Sequence, residues 1–286
     1  MNGFINIYKP VGMTSSDVVV RVRRRLREFT GKNIKVGHMG TLDPAAEGVL
    51  VVAVGTAAKL FGYFTEKRKV YTAEFTFGES TDTLDGEGKI TASGKRQPSA
   101  GELAFAAAKL TGETLQTPPL YSAKSIGGKR AYELARKGGI FEIPPKKVVI
   151  YGISVLAFDG KRAVVRVECG GGVYIRSIAR DMAELCETAA YMSALKRERA
   201  GEFGIGDAVG LDEFMNGCEA RILPAEYILE DLPRADMDAA YLEKLKNGVR
   251  LKVGVMPEGN FKVYCGGALF GIGEERNGEL IIKTRL

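Results

Sequence analysis

Six consecutive apolar residues, Val49-Leu50-Val51-Val52-Ala53-Val54, follow closely on a polar, glycine-rich stretch from Gly31 to Asp43. A continuous apolar run of that length is consistent with a buried strand and is far too short to span a membrane. The stretch before it has the composition of a loop. A loop carried by a rigid buried strand is where reactive side chains tend to be placed.

The rest of the chain narrows the classes available. Of 286 residues, 45% are hydrophobic and 27% charged, the mix of a soluble globular protein with one or two domains. No stretch approaches roughly 18 consecutive apolar residues, so no membrane helix is expected, and the N-terminus lacks the pattern of a secretory signal. Cys169, Cys186, Cys218 and Cys265 lie far apart with no C-x-x-C, which argues against a zinc ribbon or a disulfide framework and suits a reducing cytoplasm. His38 is the single histidine, which excludes H-E-x-x-H zinc enzymes; no metal is expected. The net charge is +6, and its placement matters more than its size. Residues 1–70 hold 12 Lys/Arg against 5 Asp/Glu, and the remainder hold 29 against 30. Such a local excess is the footprint of a polyanion, or else the solvated face of a basic helix.

Along the chain, Phe4–Tyr8 reads as a short strand and Thr14-Ser15-Ser16 as helix caps, with Asp17 in the first turn. Val18, Val19, Val22 and Leu26 then form one apolar stripe, with Arg21, Arg23, Arg24, Arg25 and Arg27 on the other sides. Residues 70–78 alternate, with Tyr71, Ala73, Phe75 and Phe77 on one face. Asp82–Gly88 is a turn, and Ser99 with Glu102 is a capping box opening a helix through Leu110. A short helix at 131–137, strands at 147–158 and 163–169, and a helix from about Tyr174 to Leu185 follow. Short helical pieces are expected at 211–214 and 224–229. After Glu230-Asp231-Leu232-Pro233, a plausible boundary, a helix over 237–247 and short strands near 251, 261–264, 268–272 and 280–284 make a small β-rich appendage.

The densest chemistry lies in Gly37–Leu50. Asp43 either starts a turn or acts as a catalytic aspartate, which can be a nucleophile at a sugar or base carbon. Such a group needs a cation beside it and an apolar wall. Arg176, after Gly170-Gly171-Gly172 and at the start of a helix, either points across a cleft or makes a surface salt bridge. Asp82, Asp85 and Glu87 do not match a calcium loop, and a hairpin turn is the better reading. No P-loop or G-x-G-x-x-G is present, so no nucleotide cofactor is indicated.

The run Gly37–Leu50 resembles the signature of the bacterial TruB family, the tRNA pseudouridine-55 synthases. So do Lys9–Ser16, Val70-Tyr71, the segment from Gly78 through Thr81-Asp82-Thr83 to Asp85, Pro118–Lys124, Ala131–Arg136 and Gly172–Ser177. Order and spacing hold from residue 3 to about 206, and more weakly beyond. One departure stands out: where the family often reads D-L-G-x-x-L-G-T-G, this chain has Asp181-Met182-Ala183-Glu184-Leu185-Cys186-Glu187-Thr188-Ala189, with the glycines replaced.

The resemblance implies an α+β (mixed α/β) catalytic domain around a largely antiparallel sheet over 1–230, with an RNA-binding thumb at 118–145. It implies a C-terminal PUA-like β-barrel over 231–286. The implied reaction isomerises one uridine of the tRNA TΨC loop, with no cofactor, no membrane and no protein partner, in a cytoplasmic monomer. Asp43 is then the catalytic aspartate and Arg176 its partner. Tyr71 stacks on the flipped base, Leu195 is the apolar pocket residue, His38 helps hold the distorted loop, and Tyr174 belongs to the substrate site. Lys9, Arg23, Arg24 and Lys59, with Lys124, Lys129 and Arg130 of the insertion, are the candidate RNA contacts. Two rival readings are a guide-RNA-dependent ribosomal RNA synthase and a non-catalytic tRNA-binding or tRNA-folding protein.

Overall fold

In the computed structural model the described residues are 1–286 except 95, 123, 137, 138, 140, 218–221 and 253; of Arg130 only the backbone is described. The first 210 residues supply strands β1 (Gly3–Lys9), β2 (Val36–His38), β3 (Ala46–Val54), β4 (Lys69–Phe77), β5 (Gly112–Gln116), β6 (Lys146–Phe158), β7 (Arg162–Cys169), β8 (Ala190–Ala200), β9 (Phe203–Gly204) and β10 (Val209–Gly210). Three longer helices accompany them: α1 (Ser15–Thr30), α2 (Ala100–Leu110) and α3 (Ile175–Leu185). The strands form one sheet in the order β10-β1-β3-β8-β4-β7-β6-β5, with β2 also on β3 and β9 on β8.

The sheet is mixed rather than purely antiparallel. Most neighbours run antiparallel, but β3 with β8 and β1 with β10 are parallel. A parallel pair needs a crossover, and α3 lies on the path that brings the chain into β8 between β3 and β4. At the β3–β8 contact the backbones come so close that a Cβ on Gly48, at φ 105, would sit 2.3 Å from the Arg197 carbonyl oxygen.

The apolar run of β3 is uniform because both its faces are covered. Leu50, Val52 and Val54 pack into one core with the α1 stripe, Phe75, Leu103 and Ile178. Val49, Val51 and Ala53 face a second core with Phe4, Phe64, Phe203 and Ile228. The helices are local products of their sequences. Thr14 and Asp17 make a reciprocal capping box on α1, and Ser99 and Glu102 make one on α2. Gly31, at φ 68, closes α1 in the left-handed conformation that glycine adopts without strain.

Three segments differ from their expected structure. The polar stretch 31–43 contains β2, which adds to the outer part of β3. Strand β8, central in the sheet, carries Lys196-Arg197-Glu198-Arg199 and so gives no apolar pattern. The helix expected over 237–247 is a strand, Arg234–Met237, then a 3-10 turn and a helix confined to Leu242–Lys246. That strand, β11, joins β12 (Leu251–Lys252), β13 (Asn260–Cys265), β14 (Ala268–Arg276) and β15 (Glu279–Arg285) in a separate sheet ordered β11-β13-β14-β15-β12.

The second sheet has its own core around Phe261 and Val263, while its Ile272 packs with the main body. Two lysines tie the parts together. Lys59 donates to the Arg285 carbonyl at 2.7 Å, and Lys67 bridges Glu202 at 2.7 Å and Asp231. Cys169, Cys186 and Cys265 are buried free thiols; Cys218 lies outside the described residues. Among the described residues no helix is long and apolar enough to cross a membrane.

Candidate active site

Between β2 and β3 the chain makes the loop that carries Asp43. Its shape is imposed from three directions. The Lys9 ammonium, at the end of β1, donates to the carbonyls of Pro10 at 2.8 Å, Met13 at 2.6 Å and Pro44 at 3.4 Å. The Ser15 hydroxyl both donates to the Leu42 carbonyl and accepts from the Leu42 N–H, each at 2.8 Å. The Arg197 guanidinium, from β8, donates to Val49 at 2.7 Å, Gly40 at 3.1 Å and Thr41 at 3.3 Å. The Gly12 N–H adds a bond to the Pro44 carbonyl at 2.8 Å.

These clamps correct one expectation. Lys9 is 0% exposed, so its ammonium is occupied by loop carbonyls and is not available to RNA phosphate. Burial brings it down to about 8, although Asp43 nearby works in the opposite sense. His38, expected to help hold the loop, lies at the end of β2, and its buried Nδ1 has no hydrogen-bond partner among the described residues. Burial and the Arg197 charge lower its pKa, which favours the neutral imidazole.

Asp43 itself keeps 33% of its side chain exposed, and its Oδ2 lies 2.9 Å from Arg176 Nη2. Arg176 is buried at the start of α3 and reaches four acceptors. Besides Asp43 these are the Asp85 carboxylate and the Thr83 carbonyl, both 3.0 Å from Nη1, and the Tyr121 carbonyl, 3.1 Å from Nη2. Asp85 is buried as well and also accepts from the Thr83 hydroxyl at 2.5 Å and the Glu87 N–H at 3.1 Å. The 82–88 turn is therefore a turn, as its composition suggests, and it delivers a second carboxylate to the same guanidinium. No group of His, Cys, Asp and Glu able to hold a metal occurs among the described residues.

The apolar side of the site comes from β4 and β8. Tyr71 and Leu195 are both nearly buried, with Leu195 paired to Ala46 on one side and Ala73 on the other. Burial raises the Tyr71 phenol pKa, an effect opposed by Arg197, its direct cross-strand neighbour. Tyr174 caps α3 through its backbone: its N–H donates to Gln116 Oε1 at 2.8 Å, and its carbonyl accepts from Gln116 Nε2 at 3.2 Å. Sequence alone assigns no site role to Gln116, Asp85 or Arg197. Their links to the site are long-range: Gln116 lies 58 residues from Tyr174, Asp85 91 from Arg176 and Arg197 157 from Gly40.

The candidate RNA contacts are dispersed. Arg23 and Arg24 lie on the exposed face of α1; Arg23 donates to the Val36 carbonyl at 3.0 Å, and Arg24 lies 3.7 Å from Glu28. Lys59 is exposed but engaged with Arg285, on the C-terminal sheet. Lys124 donates to the Pro144 carbonyl at 3.2 Å, and Lys129 is exposed in a two-residue ladder. The Arg130 side chain lies outside the described residues.

Comparison with known proteins gives a consistent result. Residues 24–175 match the model of the TruB family pseudouridylate synthase N-terminal domain. A protein of Caldanaerobacter subterraneus named tRNA pseudouridine synthase B is 39% identical over 290 residues, covering 100% of this chain and 99% of that one. The protein of the same name from Aquifex aeolicus is 35% identical, with 100% of both chains covered. Among solved structures, a Cbf5-Nop10-Gar1 complex matches with a TM-score of 0.71 at 23% identity, over 99% of this chain and 84% of that one. At that identity the likeness extends to the fold.

Proposed function

The chain belongs to the TruB family of pseudouridylate synthases, and on that premise we propose that it isomerises uridine 55 in the TΨC loop of tRNA to pseudouridine. The observation that carries the reading is the Asp43–Arg176 ion pair at 2.9 Å, set on a loop clamped from three directions and left partly open to solvent. A flipped uridine would enter beside Asp43, against the wall of Tyr71 and Leu195. The N1–C1′ bond breaks, the base turns, and a C5–C1′ bond forms. The C5 proton leaves and N1 takes one up, so substrate and product are isomers and no co-reactant is consumed. Asp43 supplies negative charge at the sugar or base, and Arg176 orients it. The Tyr71 ring stacks on the base and its hydroxyl stands near the reacting atoms.

The remaining assignments belong to the same proposal. Residues 118–145 act as a thumb on the T-arm, with Lys124, Lys129 and Arg130 available for phosphate. Residues 231–286 act as a PUA-like RNA-binding domain, in support of which stands their separate five-stranded sheet. The chain works as a cytoplasmic monomer without a protein partner. The test is tritium release from a tRNA transcript labelled at uridine C5, using the isolated chain. Release is expected from the wild type and abolished in Asp43→Asn, whose tRNA affinity should stay within about threefold because the change is nearly isosteric. A folded wild-type chain that releases no tritium, or an Asp43→Asn variant that turns over normally, overturns the reading.

A further inference from the structure

Arg197 is a buried cation with no carboxylate within ion-pair distance among the described residues, and only 4% of it is exposed. Burying an uncompensated charge is unfavourable, and a neutral side chain could fill the same space without that penalty. Two further lysines, Lys9 and Lys69, share its surroundings and add to the positive field. The hydrogen bonds of Arg197 go to backbone carbonyls of the Asp43 loop and the strand that follows it: Gly40, Thr41 and Val49.

The register of the sheet explains what this arrangement reaches. On β8, Arg197 stands opposite Gly48 of β3 on one side and opposite Tyr71 of β4 on the other. Strand β3 carries the Asp43 loop, and β4 carries the ring proposed to meet the base. Glycine at 48 lets β3 approach the Arg197 backbone, so the arginine is seated closely between the two. Arg197 of β8 thus sits between the strand that carries the Asp43 loop and the strand that carries Tyr71.

We infer that Arg197 is a positioning residue for the isomerisation, holding the backbone that carries Asp43 against β8 through its bonds to Gly40, Thr41 and Val49. The inference rests on the proposed catalytic reading of the site.

The experiment compares wild type and Arg197→Lys on an unmodified tRNA transcript, measuring single-turnover rate, tRNA affinity and melting temperature. Lysine keeps the charge but offers one nitrogen where the guanidinium uses three, to Gly40, Thr41 and Val49. Arg197→Lys is expected to lose about 100-fold in single-turnover rate, as small misplacements of reacting groups do, with tRNA affinity within about threefold. Because the guanidinium grips the Asp43 backbone rather than the RNA, the loss should fall on the single-turnover rate at saturating tRNA and spare the affinity. If Arg197→Lys melts below the assay temperature, Arg197→Gln, uncharged and shorter, is read in the same way. A substituted enzyme turning over within about threefold of wild type, or a loss that falls on tRNA affinity instead of rate, overturns the positioning role. A wild-type chain with no turnover overturns instead the functional reading on which it rests.

Discussion

Replacing Asp85 by asparagine removes one negative charge and almost no volume, at a point where three donors converge. Arg176 Nη1 lies 3.0 Å from the carboxylate, the Thr83 hydroxyl 2.5 Å and the Glu87 N–H 3.1 Å. An asparagine offers a single carbonyl oxygen. Turned toward Arg176, it leaves the Glu87 N–H facing an amide NH2; turned the other way, it sets that NH2 against the guanidinium. Either way one buried donor loses its acceptor, at about 1–3 kcal/mol, and a charged hydrogen bond becomes a neutral one, at about 1 kcal/mol more. The sum, about 2–4 kcal/mol, should lower the melting temperature by roughly 5–15 °C for a chain of this size. The chemical effect follows from sharing. Arg176 now divides its charge between Asp43 and Asp85. With Asp85 neutralised, Asp43 becomes its one carboxylate partner and is gripped more firmly, away from substrate. Single-turnover rate should fall tenfold or more, about 1.4 kcal/mol of barrier. Thermal melting and tritium release on the same preparation decide it. Wild-type turnover with a melting temperature within about 2 °C of wild type would refute the shared-guanidinium argument.

Three further outcomes are expected. Changing Arg23, Arg24 and Arg25 together to Gln should flatten the salt dependence of tRNA binding by about 0.7–0.9 logarithmic units for each phosphate no longer neutralised, and an unchanged slope would leave α1 a solvated face. Lys9 has a folded pKa of about 8 against 10.5 when unfolded, so between those values the unfolded chain holds more protons. Its contribution to stability therefore rises with pH across that window and is lost as pH falls toward 8; the melting-temperature gap between wild type and Lys9→Met should shift in favour of wild type as pH rises, and a constant gap contradicts this. Glu187, where the resembled family carries glycine, follows α3 at φ 53 with its side chain exposed. Glu187→Gly should stabilise by about 0.5–1 kcal/mol, and an unchanged or lower melting temperature would show that the left-handed position is not strained.

What could be read from the sequence was local. The capping boxes at Thr14–Asp17 and Ser99–Glu102 use residues three apart, and the alternation of β4 needs nothing beyond nine consecutive residues. Strand β8 escaped because its inward positions include a guanidinium: Leu195, Arg197 and Ala200 are buried, so the hydrophobic period is interrupted where the structure most needs it. The resemblance makes Lys9 a candidate RNA contact, and nothing local shows that its ammonium turns inward, where one of its acceptors, Pro44, lies 35 residues away. Asp85 was read correctly as part of a turn, yet its partner Arg176 lies 91 residues on, and nothing in a D-x-x-D-G-E-G segment announces a distant arginine. The sheet's mixed character was likewise invisible, since it follows from where β8 inserts rather than from its residues.

The clamps on the Asp43 loop grip only main-chain atoms. Lys9 holds the oxygens of Pro10, Met13 and Pro44, Ser15 the amide and oxygen of Leu42, and Arg197 the oxygens of Gly40, Thr41 and Val49. Every amino acid carries those oxygens. The instructions for the loop's shape are thus written outside the loop, in three side chains on β1, α1 and β8, and the exposed Thr41 is free to vary. A lineage can alter the residues that touch an incoming base while the path of the backbone under Asp43 stays the same. Substrate preference and catalytic geometry are thereby inherited from different parts of the chain.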